Sequence, residues 1–180
     1  HEESRVIDQP PAIEINLPPL TGPQMAIFQI DERPERCIDV EGAPRSAKSW
    51  GIGFWIWKLA YKYPGIQVFY CRYKDDDLVT LRDVWAKVSV YFPPYLQPKW
   101  NSSDQSWDFP NASRVLLSSL RVSEGATAAA IHGKYKGKTI AVVIIEEAQE
   151  GPWANYLGLK ERLSQSKTPA GEDFNYPLKI

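Results

Sequence analysis

The chain is short of the residues from which metal centres and covalent frameworks are made. It has two cysteines, Cys37 and Cys71, and two histidines, His1 and His132, in 180 residues. That excludes a disulfide framework and a Cys- or His-based metal site. Both cysteines fall in runs that read as buried strands, so they are expected to be small core residues in a reducing compartment. Long apolar runs are also missing. "IAVVII" is among the longest and is far short of the ~20 residues that cross a bilayer, and neither a signal peptide nor a transit peptide is visible. An excess of one charge is missing too, with 21 Lys and Arg against 22 Asp and Glu. No overall basic field advertises nucleic acid, so any such contact must come from a local patch. The first residue is His1 rather than methionine, which reads as processing or a tag remnant.

What is present suits a globular domain. The chain is 43% hydrophobic and 24% charged, enough for one well-buried core. Residues 1–23 are proline-rich ("DQPPAIEINLPPLTGP") and are expected to form an extended arm before a single domain spanning 24–180. "ERCIDVE" alternates toward a glycine and predicts a strand. "KSWGIGFWIWKLAYKY" carries Ile52, Trp55, Ile56, Leu59 and Tyr63 at helical spacing and is stopped by Pro64 and Gly65. "IQVFYCRY" predicts a strand. "DDDLVTLRDVWAKVSVYF" predicts a helix with acids at its amino end. "FPPYLQPKWNSSDQSWDFPN" reads as a polar, proline-broken excursion. "SRVLLSSL" predicts a strand, "SEGATAAAIHG" a short helix opened by Ser123, and "KTIAVVIIEE" a strand buried on both faces. "WANYLGLKERLSQ" predicts a helix, and "YPLKI" the opening of a further strand. Alternating strands and helices predict an α/β fold with a mostly parallel sheet flanked by helices. Ligands bind such sheets beyond the carboxyl ends of the strands.

Two motifs fall at that edge. "GAPRSAKS" nearly fits the phosphate-loop pattern G-x-x-x-x-G-K-[ST]. Gly42, Lys48 and Ser49 are in place, and Ala47 stands where the second glycine is usual. Such a loop aims backbone N–H groups at phosphate oxygens from the start of a helix. Gly42, Ala43, Pro44, Arg45, Ser46, Ala47, Lys48 and Ser49 are thus the candidate nucleotide cradle. Lys48 would reach the β- and γ-phosphates, Ser49 would ligate Mg²⁺, and Arg45 would neutralise charge on the transferring phosphoryl group. About a hundred residues on, "VVIIEE" closes a buried strand with two carboxylates. Glu146 fits an acid associated with Mg²⁺ through water, and Glu147 fits a general base that polarises the attacking water. The carboxamide of Gln24 offers a donor and an acceptor suited to adenine. The tryptophans Trp50, Trp55, Trp57 and Trp85 are expected to pack rather than stack on bases, and the basic "HGKYKGK" to form a solvated turn.

Taken in order, Gln24, "GAPRSAKSW", "QVFYCRYKDDDLVTLRDVW", "YKGKTIAVVIIEEAQEGP" and "LKERL" resemble the ATPase domain of a phage terminase large subunit, the DNA-packaging motor of tailed phages. The resemblance runs from Gln24 to about Leu163. Its most telling features are the loop arginine and the Lys136-Gly137 pair before the acidic strand. It implies a P-loop NTPase fold of the ASCE type, with ATP and Mg²⁺ as cofactors and hydrolysis driving double-stranded DNA into a procapsid. It also implies a pentameric homo-oligomeric ring on the portal protein, a small terminase subunit as partner, and action in the host cell cytoplasm. Gln24 becomes the adenine reader, and Glu146 and Glu147 the metal-associated and catalytic acids, with Glu146 where the family has aspartate. Arg114 and Arg121 are the candidates for an arginine finger acting in trans, with a surface role the expectation for each. The chain stops before the coupling motif and the nuclease domain that follow in the family, so it reads as an excised ATPase domain. The residues alone also admit a helicase- or recombinase-like ATPase, or a non-catalytic phosphate-loop module.

Overall fold

"QVFYCR" forms the central strand β1 (Gln67–Arg72), whose β-branched and aromatic side chains suit a pleated, buried surface. The computed structural model describes residues 15–35, 38–41, 47–121 and 139–151, with the single residues 133, 159, 163, 165, 167 and 171. β4 (Arg114–Ser119) pairs in parallel on one side of β1, and β5 (Val142–Ile145) on the other. The registers align rows across the three strands. Val115, Val68 and Val142 form one row, and Leu117, Tyr70 and Ile144 another two residues on. These rows face one core cluster, while Leu116, Phe69 and Val143 face a second. All nine are buried, which fits parallel strands covered on both faces.

Helices cover the first face. They are α1 (Gly22–Phe28), α2 (Lys48–Lys62) and α3 (Leu78–Ser89). The carboxyl end of α2 is fixed to the amino end of β4. Ser113 Oγ and Asn111 Nδ2 both donate to the Ala60 carbonyl, at 2.9 and 2.7 Å. Residues 63–66 then turn directly into β1. A fifteen-residue helix is roughly 22 Å long, close to the roughly 20 Å of a six-residue strand. Running back over the sheet, α2 carries its first turn toward the edge where the parallel strands end. The short 3-10 turn after α1, Ile30–Glu32, is tied to α2 by Asp31, whose side chain is fully buried and meets Lys58 at 2.8 Å and Lys62 at 2.9 Å.

The tryptophans pack, as expected. Trp57 is fully buried and stacks on Phe92 with centroids 3.9 Å apart, and the edge of Phe109 meets it at 5.2 Å. Trp85 stacks on Trp107 at 4.4 Å. Trp55 is buried, and Trp50 meets Phe54 edge-on.

The sheet is mixed rather than purely parallel. Among the described residues its five strands run in the order β2-β3-β4-β1-β5. β2 (Lys99–Asn101) and β3 (Ser106–Asp108) form an antiparallel hairpin, and β3 pairs antiparallel with β4. The hairpin lies inside the stretch expected to be an irregular excursion. Strands of three residues are too short to show a period, and the prolines that suggested a break lie outside them. Pro98 precedes β2, and Pro110 follows β3 by two residues. The pair Trp100↔Trp107 lies across the hairpin.

Other elements differ from expectation. α1 begins at Gly22 within the proline-rich stretch, and Ile15, Leu17 and Leu20 before it pack against the core. Thr21 and Gln24 form a capping box that starts this helix. Residues 38–41 carry no strand. Ile38 and Val40 nevertheless pack on the core around exposed Asp39, so the alternation reports which side faces inward and not ladder hydrogen bonding. Leu163, expected within a helix, instead forms a parallel bridge with Ile140. Two residues on, Gln165 accepts from the Gln67 amide at 2.8 Å and donates to the Gly65 carbonyl at 2.8 Å, closing the amino end of β1. The expected helix opened by Ser123, Cys37, most of "HGKYKGK" and "YPLKI" lie outside the described residues. No described helix is long and apolar enough to cross a membrane.

Candidate active site

The acidic end of β5 sits at the carboxyl edge of the parallel strands. Glu146 donates its amide to the Cys71 carbonyl at 3.0 Å, extending the β1–β5 pairing by one residue. It lies two residues beyond Ile144, so it falls on the face that α2 covers. There the Tyr70 hydroxyl donates to Glu146 Oε1 at 2.5 Å. Tyr70 is buried, and burial first, then the charge and hydrogen bond of Glu146, push its hydroxyl well above the ordinary 10.0, with Arg72 opposing. Tyr70 therefore stays protonated and acts as a donor.

Glu147 leaves the strand in the left-handed region, at φ 52° and ψ 47°. A non-glycine residue pays about 1–2 kcal/mol for that conformation. Such strain recurs where a side chain must be aimed. The Glu147 side chain is 46% exposed and lies 3.9 Å from Arg72, which is on β1 next to the acidic end of β5. Gln149 Nε2 donates to Glu147 Oε2 at 2.5 Å. Glu146 is therefore held by a buried tyrosine of the neighbouring strand, whereas Glu147 is held by Arg72 and Gln149 and remains partly exposed.

The loop side of the site is set by the start of α2. Residues 42–46, and with them Gly42, Ala43, Pro44, Arg45 and Ser46, lie outside the described residues. Ala47, Lys48 and Ser49 are described. Ala47 is the residue before the helix and has φ 55° and ψ 31°, again left-handed. This is the position where the phosphate-loop pattern has glycine, the residue for which a positive φ carries no penalty. Lys48 and Ser49 are both half-buried in the first turn, where backbone amides have no partner inside the helix. Gln24 is buried beside them. Its Oε1 accepts from the Thr21 amide at 2.9 Å and its Nε2 donates to the Ala47 carbonyl at 3.5 Å. A carboxamide has two donors and two acceptor sites, so one of each remains for a base.

Among the described residues no group of three or more His, Cys, Asp or Glu could hold a metal ion. A magnesium ion bound through phosphates needs only one or two protein oxygens. The Ser49 hydroxyl and the Glu146 carboxylate are hard oxygen donors of that kind.

The structure joins Gln24 to Ala47 and sets Glu146 beside Tyr70. It gives Arg114 a local role: its guanidinium pairs with Asp108 at 2.8 Å and Asp104 at 3.2 Å on the hairpin. Arg121 is exposed. Sequence reasoning missed Tyr70 and Arg72, which it absorbed into an apolar strand. The signal was available: a hydroxyl and a cation two residues apart, at the carboxyl end of a predicted parallel strand, belong to the ligand edge. No protein-family model matches the chain, and no curated protein matches it.

Proposed function

We propose that the chain is a phosphate-loop ATPase domain that binds ATP with Mg²⁺ and hydrolyses it. We propose further that it is the motor domain of a viral DNA-packaging terminase large subunit. The observation that carries the nucleotide reading is the left-handed backbone of Ala47. It turns the chain into α2 where a phosphate loop requires that turn, with Lys48 and Ser49 following. Glu146 and Glu147 at the end of a buried parallel strand support it.

In this reading Lys48 and the amides at the start of α2 bind the phosphates. Ser49 and Glu146 hold magnesium, which neutralises charge on the phosphoryl oxygens when bound. Glu147 orients and deprotonates the attacking water. Gln24 contacts the adenine. The packaging role rests on the sequence resemblance. It assigns double-stranded viral DNA as substrate track, the portal protein and small terminase subunit as partners, a homo-oligomeric ring as the working form, and the host cytoplasm as the place of action.

Substituting Glu147→Gln tests the assignment of roles. ATP binding by the chain stays within about twofold of wild type, while turnover in the assembled motor falls by about 100-fold or more, the size of a general-base contribution. Unchanged turnover would remove Glu147 from the chemistry.

A further inference from the structure

The pair Tyr70 and Glu146 has no counterpart in the phosphate-loop pattern and is not needed to build the sheet. Tyr70 lies in the middle of the row Leu117, Tyr70, Ile144, where an apolar ring alone would fill the space. Its hydroxyl instead reaches past Ile144 to Glu146 Oε1, one strand over. Glutamate is one methylene longer than aspartate and has one more rotatable bond. A carboxylate on that longer arm needs an anchor to hold one position.

We propose that Tyr70 is a positioning residue for the metal-associated acid: its hydroxyl holds one carboxylate oxygen of Glu146 and leaves the other to serve the magnesium shell. This inference rests on the nucleotide reading given above and deepens it. Tyr70 touches neither nucleotide nor metal and acts through Glu146. Its ring is held rigidly by packing, so the oxygen it fixes is placed with the precision of the strand and not of the loop. Glu147 has no such anchor on β1 other than the longer contact to Arg72. Its hydrogen bond comes instead from Gln149 in the exposed turn that follows, at 2.5 Å, so the metal-associated acid is held from a buried strand and the base from the loop.

The test is binding of a fluorescent ATP analogue, measured in EDTA and across a Mg²⁺ titration, for wild type, Tyr70→Phe, Glu146→Gln and the double variant. Losing a hydrogen bond to a charged group corresponds to about tenfold in affinity. Tyr70→Phe is therefore expected to raise the Mg²⁺ midpoint by about tenfold and to leave metal-free nucleotide affinity unchanged. In the Glu146→Gln background it is expected to add nothing. Glu146 is half-exposed, so water can replace the hydroxyl and the fold should survive, as a melting curve will show. If Tyr70→Phe does not fold, Tyr70→Met, an adaptable apolar side chain without the hydroxyl, is read by the same titration, with the midpoint raised in the wild-type background and unchanged in the Glu146→Gln background. An unchanged midpoint in the folded variant, or an equal effect of Tyr70→Phe with and without Glu146, overturns the inference alone. No Mg²⁺-dependent nucleotide binding by wild type overturns the nucleotide reading and this inference together.

Discussion

Gly51 on α2 lies directly against the backbone of Gln24 on α1: a Cβ at Gly51 would stand 3.3 Å from Gln24 Cα. The absence of that one carbon lets α1 approach α2 closely enough for Gln24 to reach the Ala47 carbonyl. Gly51→Ala should therefore push α1 outward. Overpacking costs about 1–3 kcal/mol, and the better helix propensity of alanine returns about 1. The expected outcome is a melting temperature lowered by a few degrees, together with a narrower preference for ATP over GTP as Gln24 moves. Competition binding with the two nucleotides checks it, and an unchanged preference would detach Gln24 from base reading.

Ala47→Gly should act in the opposite direction. The left-handed conformation of Ala47 costs about 1–2 kcal/mol that glycine does not incur. The extra freedom of glycine in the unfolded chain takes back about 0.4–1 kcal/mol. The net is a stabilisation of about 0.5–1 kcal/mol, or about 1–4 °C in melting temperature for a chain of this size. ATP affinity should hold or rise. A melting temperature that falls would contradict the φ assigned to this residue.

The Asp31 clamp should make stability pH-dependent. Burial alone would raise the Asp31 carboxyl, but the hydrogen bonds and charges of Lys58 and Lys62 outweigh it and hold it below its ordinary 3.8. A carboxyl lowered in the folded state contributes stability that is fully present above the unfolded value and is lost as pH falls through the folded one. Wild type should therefore lose stability more steeply than Asp31→Asn as pH drops below about 4. At pH 7 the variant should be about 2 kcal/mol less stable, the value of hydrogen bonds to a charged group. Denaturant titrations at pH 7 and pH 3 check both, and equal gaps at the two pH values would contradict the assignment.

The parts legible in sequence are those with a period or a chemical signature. α2 was readable because Ile52, Trp55, Ile56 and Leu59 repeat at helical spacing over about two turns, and its observed bounds differ from the expected ones by one residue. β1 was readable as a β-branched and aromatic run, β4 from the apolar centre of "SRVLLSSL", and β5 as a nearly unbroken apolar run. The hairpin was not, because three-residue strands show no period and their stability comes from Trp107 stacking on Trp85, a contact distant in sequence. α1 was hidden because its signal, Thr21 capping with Gln24, sits among prolines that also suit an extended arm. At the site, Glu146 and Glu147 were readable as acids ending a strand. Their different surroundings were not, since Tyr70 and Arg72 belong to another strand and become neighbours only through register.

The most direct measurement is calorimetric titration of Mg–ATP into wild type and Lys48→Ala. Because the lysine would supply charge-assisted bonds to the phosphates, the account predicts measurable binding by wild type and at least about tenfold weaker binding by the variant. Equal affinity of the two proteins for Mg–ATP would contradict it.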